Sequence, residues 1–406
     1  MHTVLRDSLA ILCTLLVTSV LLCSVPASAL DFFVASNGDE GDANPGNGFC
    51  STPGPIAVCT FRAAVEEANA LPGQDRIFLG AGTVTIGAPE ISITDDVLIE
   101  GAGAFQTVLQ GDGGDSHRGL SIEENIDVSL VDLTIRGFNP EPDSHLAGGA
   151  IKSRNADITF AGVWIDSNSA YNCGGVLLEG GHVLILSSTF THNVASGGGV
   201  EGGWGGGLCT EGADVIAYNS TFFGNSAQLG GAILVNQPGA ELTLKSCTLV
   251  DNIDRSPSIE GGADDSAISQ LNGSFDSRKT LIAGTCHLLG SVTSDGGNLQ
   301  SPGDSCLLGV AGDQPNVPRH LLALGPIGDY GGKVPTMLPD STSLAVEPPL
   351  SMGPACPSLD ARGLPRVGRC DVGAVERQLL DFDVATIFVD GFETGNTNAW
   401  SSTSAP

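Results

Sequence analysis

Asp166, Asp251 and His192 are the residues best suited to acid–base work, and each lies one or two positions before an asparagine. The acidic pairs Asp95–Asp96 and Asp264–Asp265 and the basic stretch Lys152-Ser153-Arg154 complete the inventory of chemistry-bearing residues. Carboxylates stacked on one face can hold calcium beside a basic residue that takes a proton, the chemistry of polysaccharide elimination. A carboxylate pair about 5 to 10 Å apart would serve glycoside hydrolysis instead. Either chemistry requires elements that bring such groups together.

Those elements form a repeat. Four segments align on Asn168, Asn193, Asn225 and Asn252, with apolar or small residues three, five, eight and ten positions earlier. For Asn225 these are Phe222, Ser220, Ala217 and Val215; for Asn168 they are Ile165, Val163, Phe160 and Ile158. An earlier copy, built on Ile135, Leu133, Leu130 and Val128, carries Phe138 in the asparagine slot. The reference positions are therefore 30, 25, 32 and 27 residues apart. A unit this short cannot bury its apolar face alone, so neighbours must stack. Spacings of two and three denote strand alternation broken by a bend, where a helix needs three and four. The predicted fold is all-β, a stack of β-coils over about residues 77–285.

This alignment also bears on the chemistry. Asp166 precedes its asparagine by two positions, whereas His192 and Asp251 precede theirs by one, so the three share no column. The repeats are read as supplying no column of acid, base and metal ligands, and the catalytic residues stay unassigned. Asn168, Asn193, Asn225 and Asn252 are expected to form a structural amide ladder, because asparagine tolerates left-handed backbone and bonds its own turn. Gly-Gly pairs beginning at Gly148, Gly174, Gly206, Gly230 and Gly261 mark a second corner. The insertion "SGGGVEGGWGGG" lacks the Lys-Ser/Thr of a phosphate loop. Its Trp204 is expected to be an exposed aromatic and a candidate glycan contact.

Charge and cysteines bound the compartment and the partners. The chain opens with Arg6, an apolar run and Ala27-Ser28-Ala29, the pattern of a cleaved signal peptide over residues 1–29. A lipid attached at Cys23 is disfavoured by the bulky Leu22 before it, and no membrane span is expected once the leader is removed. The net charge of −29 argues against nucleic acid and anionic headgroups as partners. Outside the leader nine cysteines remain, in a chain bound for an oxidising compartment. Their spacing predicts Cys50 with Cys59, Cys286 with Cys306 and Cys356 with Cys370. Cys173 and Cys209 stay open, and Cys247 occupies an inward slot as a buried, inert thiol. No Cys/His cluster suits zinc, and no cofactor is expected.

The two ends carry specific motifs. "CTFRAAVEEAN" forms one apolar helical stripe from Phe61 to Ala68, ended by Pro72 and Gly73, and resembles the Cys-Ser-Leu-Arg-Glu-Ala (CSLREA) motif that begins many exported bacterial β-helix proteins. Cys59, Arg62 and Ala64 are retained, while Ala63 replaces the glutamate. "STFFGNSAQLGGAI" is similar to the repeat of polymorphic outer membrane proteins, through Phe222, Asn225, Gly230, Gly231, Ala232 and Ile233. Asp360, Arg362, Gly363, Arg366, Cys370, Asp371, Val372, Gly373, Ala374 and Glu376 resemble the ending of the same exported proteins. The resemblance implies a right-handed parallel β-helix with an N-terminal cap over 30–76, a loop-rich C-terminal cap over 286–377 and a tail over 378–406. It carries no established catalytic residue, and the polygalacturonase-type Asn-Thr-Asp and Gly-His-Gly signatures are absent.

The expectation is an exported, non-catalytic surface protein serving adhesion or recognition of glycans or cell-surface proteins. The alternative is a polysaccharide lyase or glycoside hydrolase, with calcium a partner only in the lyase case.

Overall fold

The computed structural model describes residues 29–113, 117–140, 146–198, 202–255, 264–306, 309–310, 312–347, 356–379 and 381. Residues 1–28, part of the glycine-rich insertion, Gly261 and most of residues 378–406 lie outside the described residues. The chain folds as a parallel β-helix. Three sheets of ten, nine and twelve strands wrap one core, and every ladder is parallel except the pairing of Ile253–Asp254 with Asp264–Asp265. Crossovers between parallel strands of one sheet take the right hand.

Each coil repeats one burial pattern. In the ten-stranded sheet, five-residue strands such as His182–Leu186 and Glu241–Lys245 send their second and fourth residues inward and the other three out. A single left-handed residue then turns the chain into the nine-stranded sheet, as at Asp132, Ser187, Asn219, Ser246 and Lys279. A second left-handed residue ends the following three-residue strand, at Ser167, His192 and Asp251. The bend inferred between the apolar slots is this first corner.

Inside, aromatic side chains meet from coil to coil: Phe190 stacks on Phe222 at 4.7 Å and meets Phe160 edge-on at 6.5 Å. The slot five before the asparagine is polar at Asn193 and Asn225: Ser188 Oγ accepts from Val163 N at 3.1 Å, and Ser220 Oγ from Ser188 N at 3.2 Å. Cys247 and Thr280 continue this column.

The ends follow from local chemistry. Helix α1 (Phe61–Ala70) is capped by Thr60, whose hydroxyl accepts from Ala63 N at 3.1 Å, and it buries Phe61, Ala64, Val65 and Ala68 on the first coil. Arg62 pairs with Asp39 at 2.9 Å and donates to the carbonyls of Gly87 and Pro89. It thereby ties the cap to the sheet beneath, as a buried cation requires. The stack runs past the 77–285 repeat region: Asp31–Val34 adds a strand before Asp75–Leu79, and pairing continues through Leu299–Ser301.

Beyond Ser301 the chain is loop-rich and folds back along the outer face of the nine-stranded sheet. Val317, Leu322, Met337, Ala345 and Val372 cover Val250, Leu281, Ala283 and Leu299. Thr189 Oγ1 donates to Pro335 O at 2.7 Å, and Ala374 N donates to Thr248 Oγ1 at 2.9 Å. The Asp-x-Arg-Gly ending is the clasp of this segment. Asp360 accepts from Arg362 and from the backbone N–H groups of Leu364 and Glu376, while Arg366 reaches Asn219 Oδ1 at 2.9 Å.

Candidate functional site

The C-terminal segment reaches the nine-stranded face at Thr189, and at the other end of that strand Asp166 and His192 meet. Parallel register places Trp164 beside Thr134 and Thr189, and Asp166 beside Arg136 and Thr191. Residues one position apart in offset become diagonal neighbours across adjacent coils, so His192 Nδ1 lies 3.4 Å from Asp166 Oδ1. Thr191 Oγ1 donates to the same oxygen at 2.7 Å, and Arg136 Nη2 lies 3.7 Å from Oδ2. Burial pushes the Asp166 carboxyl up, but the His192 and Thr191 hydrogen bonds and the Arg136 charge outweigh it and hold it below its ordinary value. Asp166 is thus a stable anion that orients the exposed His192 ring.

The aromatic side of this face is equally fixed. Trp164 Nε1 donates to Thr191 Oγ1 at 2.7 Å, which locks the indole through Thr191 to Asp166. Phe105, 42% exposed, lies 6.0 Å from the Trp164 ring, and Phe223 meets His192 edge-on at 5.6 Å. The result is a surface with two rings, tilted by 59° to each other, at one end and Arg136 and His192 beside them. Trp164, Phe105, Arg136 and Thr191 were not singled out from sequence. Trp164 stands four positions before Asn168, Thr191 two before Asn193 and Arg136 two before Phe138, in the slots that alternate with the inward ones, whereas Phe105 lies before the first aligned copy.

The other candidates disperse. Asp251 lies two coils below His192, past Gly224, and pairs with Arg319. Lys152 and Arg154 pair with Glu179 and Glu123 on a different sheet. Asp95 Oδ1 accepts from Asp96 N at 2.9 Å, and Asp264 and Asp265 lie on the antiparallel pairing. Trp204 is not the exposed loop aromatic expected: it is half-buried, bridges to Leu229 and packs beside the Cys173–Cys209 cystine. Trp204 covers the apolar patch formed by that cystine, Leu177 and Leu234.

A carboxylate column does exist, contrary to the sequence reading. It stands eleven positions before each reference residue, where Asp127, Asp157, His182, Asp214 and Glu241 occupy successive rungs, with Asp96 above them. Every member was within reach of the asparagine alignment, at the first residue of each long strand. They line a groove of about 630 Å³. Rungs about 4.8 Å apart form a row and not a cage. Among the described residues no group of three or more His, Cys, Asp or Glu is placed to hold a metal ion.

The asparagines form a continuous ladder. Asn225 donates through its backbone and its side chain to Asn252 Oδ1, at 3.1 and 2.9 Å, and Nδ2 also donates to Phe190 O at 2.9 Å. Phe138, which fills the slot above, donates its N–H to Asn168 Oδ1 at 3.1 Å. The cystines are Cys50–Cys59, Cys173–Cys209, Cys286–Cys306 and Cys356–Cys370, and Cys247 is a free, buried thiol. Cys173 and Cys209 sit on opposite sides of their Gly-Gly pairs, yet the left-handed turn at Cys173 brings their Cα atoms to 5.4 Å. No described helix is long and apolar enough to cross a membrane. Neither a scan against protein-family models nor a search of curated proteins gives a match.

Proposed function

We propose that this is an exported, non-catalytic recognition protein of the CSLREA-type β-helix class, binding glycans on its nine-stranded face around Phe105 and Trp164. One observation carries the reading: the Phe105–Trp164 pair is held at the surface of a rigid sheet, beside the side-chain donors of Arg136 and His192. Sugar rings present an apolar face and a rim of hydroxyls, and flat aromatics flanked by polar groups suit both. Four cystines and the signal-like leader support export, and the net charge of −29 disfavours nucleic acid and anionic membranes. Binding to cell-surface proteins belongs to the same reading.

The test is a glycan array followed by titration calorimetry with the best ligand. Trp164→Ala is expected to weaken binding about tenfold or more. Trp204→Ala is expected to leave it unchanged. Equal binding by the wild type and Trp164→Ala would refute this location.

The Asp166–His192 pair favours a second reading, a carbohydrate-active enzyme, since a carboxylate-oriented imidazole is a general base. Incubation with acidic and neutral polysaccharides, with and without calcium, decides between them. New reducing ends or unsaturated products that vanish in His192→Ala would establish the enzyme.

A further inference from the structure

The ten-stranded sheet has a second surface whose side chains form an ordered array. Its strands direct three residues outward per coil, and parallel register stacks them in columns. The first column is the row of Asp127, Asp157, His182, Asp214 and Glu241. In the middle column Leu184 and Ile216 are neighbours, and in the third Leu186 adjoins Ala161 and Tyr218. Leu184 and Ile216 are half-buried, and Tyr218 lies under Lys245, whose Nζ is 5.2 Å from its ring centre. A groove of about 480 Å³ over Leu184 and Ile216 adjoins the acidic groove and shares four of its lining residues. On the far margin the C-terminal segment rises as a wall, where Leu359 and Ala361 face Leu186 and Tyr218 across a hollow of about 520 Å³. The face is therefore a trough, anionic along one rim, whose floor is apolar at Leu184 and Ile216 and continues through Ser129 and Thr159 on one side and Thr243 on the other.

We infer that this trough docks a basic amphipathic α-helix lying along the solenoid axis, across the strands. Charge and geometry select the occupant. A second copy placed face to face with its axis antiparallel would oppose its acidic row to the same row, which disfavours that pairing. An α-helix advances ~5.4 Å per turn and the coils ~4.8 Å per rung, so a Lys or Arg once per turn tracks the carboxylates within the reach of a long side chain. The row from Asp96 to Glu241 spans ~24 Å, matched by ~16 residues of helix. An extended strand places its same-face residues ~6.8 Å apart and falls out of step within two or three rungs. The apolar stripe of the helix then rests on Leu184, Ile216 and Leu186, in the groove-binding mode of amphipathic helices. Lys245 and Arg278 end the third column and keep the basic edge of the partner on the acidic rim.

Three synthetic peptides of about 16 residues test this, their length set by the same rise per residue. One carries Leu and Lys at helical spacing, the second the same residues scrambled, and the third Gln in place of Lys. Binding is followed by fluorescence anisotropy at about 0.15 M salt, where the screening length is about 8 Å. The amphipathic peptide is expected to bind and the other two to bind at least about tenfold more weakly. Asp127→Asn/Asp157→Asn/Asp214→Asn should weaken it about tenfold, and Leu184→Asn/Ile216→Asn should do the same with no change of charge. Glu124→Gln/Asp304→Asn/Asp329→Asn removes equal charge elsewhere and should leave it unchanged. Equal binding of the scrambled peptide, or equal losses in both charge variants, would reduce the effect to the net charge and overturn the inference. Trp164→Ala should retain peptide binding, which separates this surface from the glycan platform.

Discussion

Asn193 Oδ1 accepts two hydrogen bonds from Asn168, one from its backbone N–H at 3.1 Å and one from its side chain at 3.0 Å. Asn193 Nδ2 in turn donates to Ile165 O and to Asn225 Oδ1, both at 2.9 Å. All four hydrogen-bonding sites of this amide are used inside the protein, which leaves nothing for a ligand. The ladder is a structural device.

Removing one rung should therefore be costly. Asn193→Ala strands two donors of Asn168 and the Ile165 carbonyl in a dry interior, so a loss of about 3 to 5 kcal/mol is expected in denaturant unfolding. A change below about 1 kcal/mol would mean that water replaces the amide.

Gly373 is the point where the C-terminal clasp touches the sheet. Its φ is 104°, and a Cβ there would meet Thr248 Oγ1 at 2.6 Å. Gly373→Ala should cost about 2 to 3 kcal/mol. It should also raise proteolysis of residues 302–379 ahead of the coils, measured by limited digestion and mass spectrometry.

Asp371 makes the clasp pH-dependent. Burial raises its carboxyl to about 6; hydrogen bonds from the Arg377 and Glu347 N–H groups and the Arg366 charge oppose this, and the Glu376 charge adds to it. A folded value above the unfolded 3.8 means that the native state binds the proton more tightly. The contribution is present in full below about 3.8 and is lost as pH rises through about 6. Going from pH 7.5 to 5 should thus raise the melting temperature, and Asp371→Asn should flatten that rise. Asp166, held low, acts in the opposite sense and withdraws stability only at more acid pH.

Cys247 should be silent until the protein unfolds. Its thiol is fully buried, pushed up to about 12 by that burial, and faces Ala217 O at 3.4 Å. A thiol reagent should find no reactive cysteine in the native mature chain and one in denaturant. Cys247→Ser should change stability by less than about 1 kcal/mol, because Ser188, Ser220 and Thr280 already place hydroxyls in this slot.

Much of the architecture is a one-dimensional property and was readable as such. The slots three, five, eight and ten before each asparagine are inward because strand alternation dictates it, and stacking follows from a unit too short to close its own core. The asparagine ladder needs only that coils align, since identical residues at one corner then fall one above another. The helix stripe from Phe61 to Ala68 and the free thiol at Cys247 come from the same local periodicity. What tertiary structure alone decided are contacts between coils at unequal offsets and contacts across long insertions. The turns vary by several residues from coil to coil, so register, not sequence distance, set Asp166 against His192 and Cys173 against Cys209. Likewise no local pattern reveals that residues 302–379 return to cover the lower coils of one sheet. That fold-back reaches Thr189, the rung beside the half-buried Trp164, and so borders the Phe105–Trp164 pair.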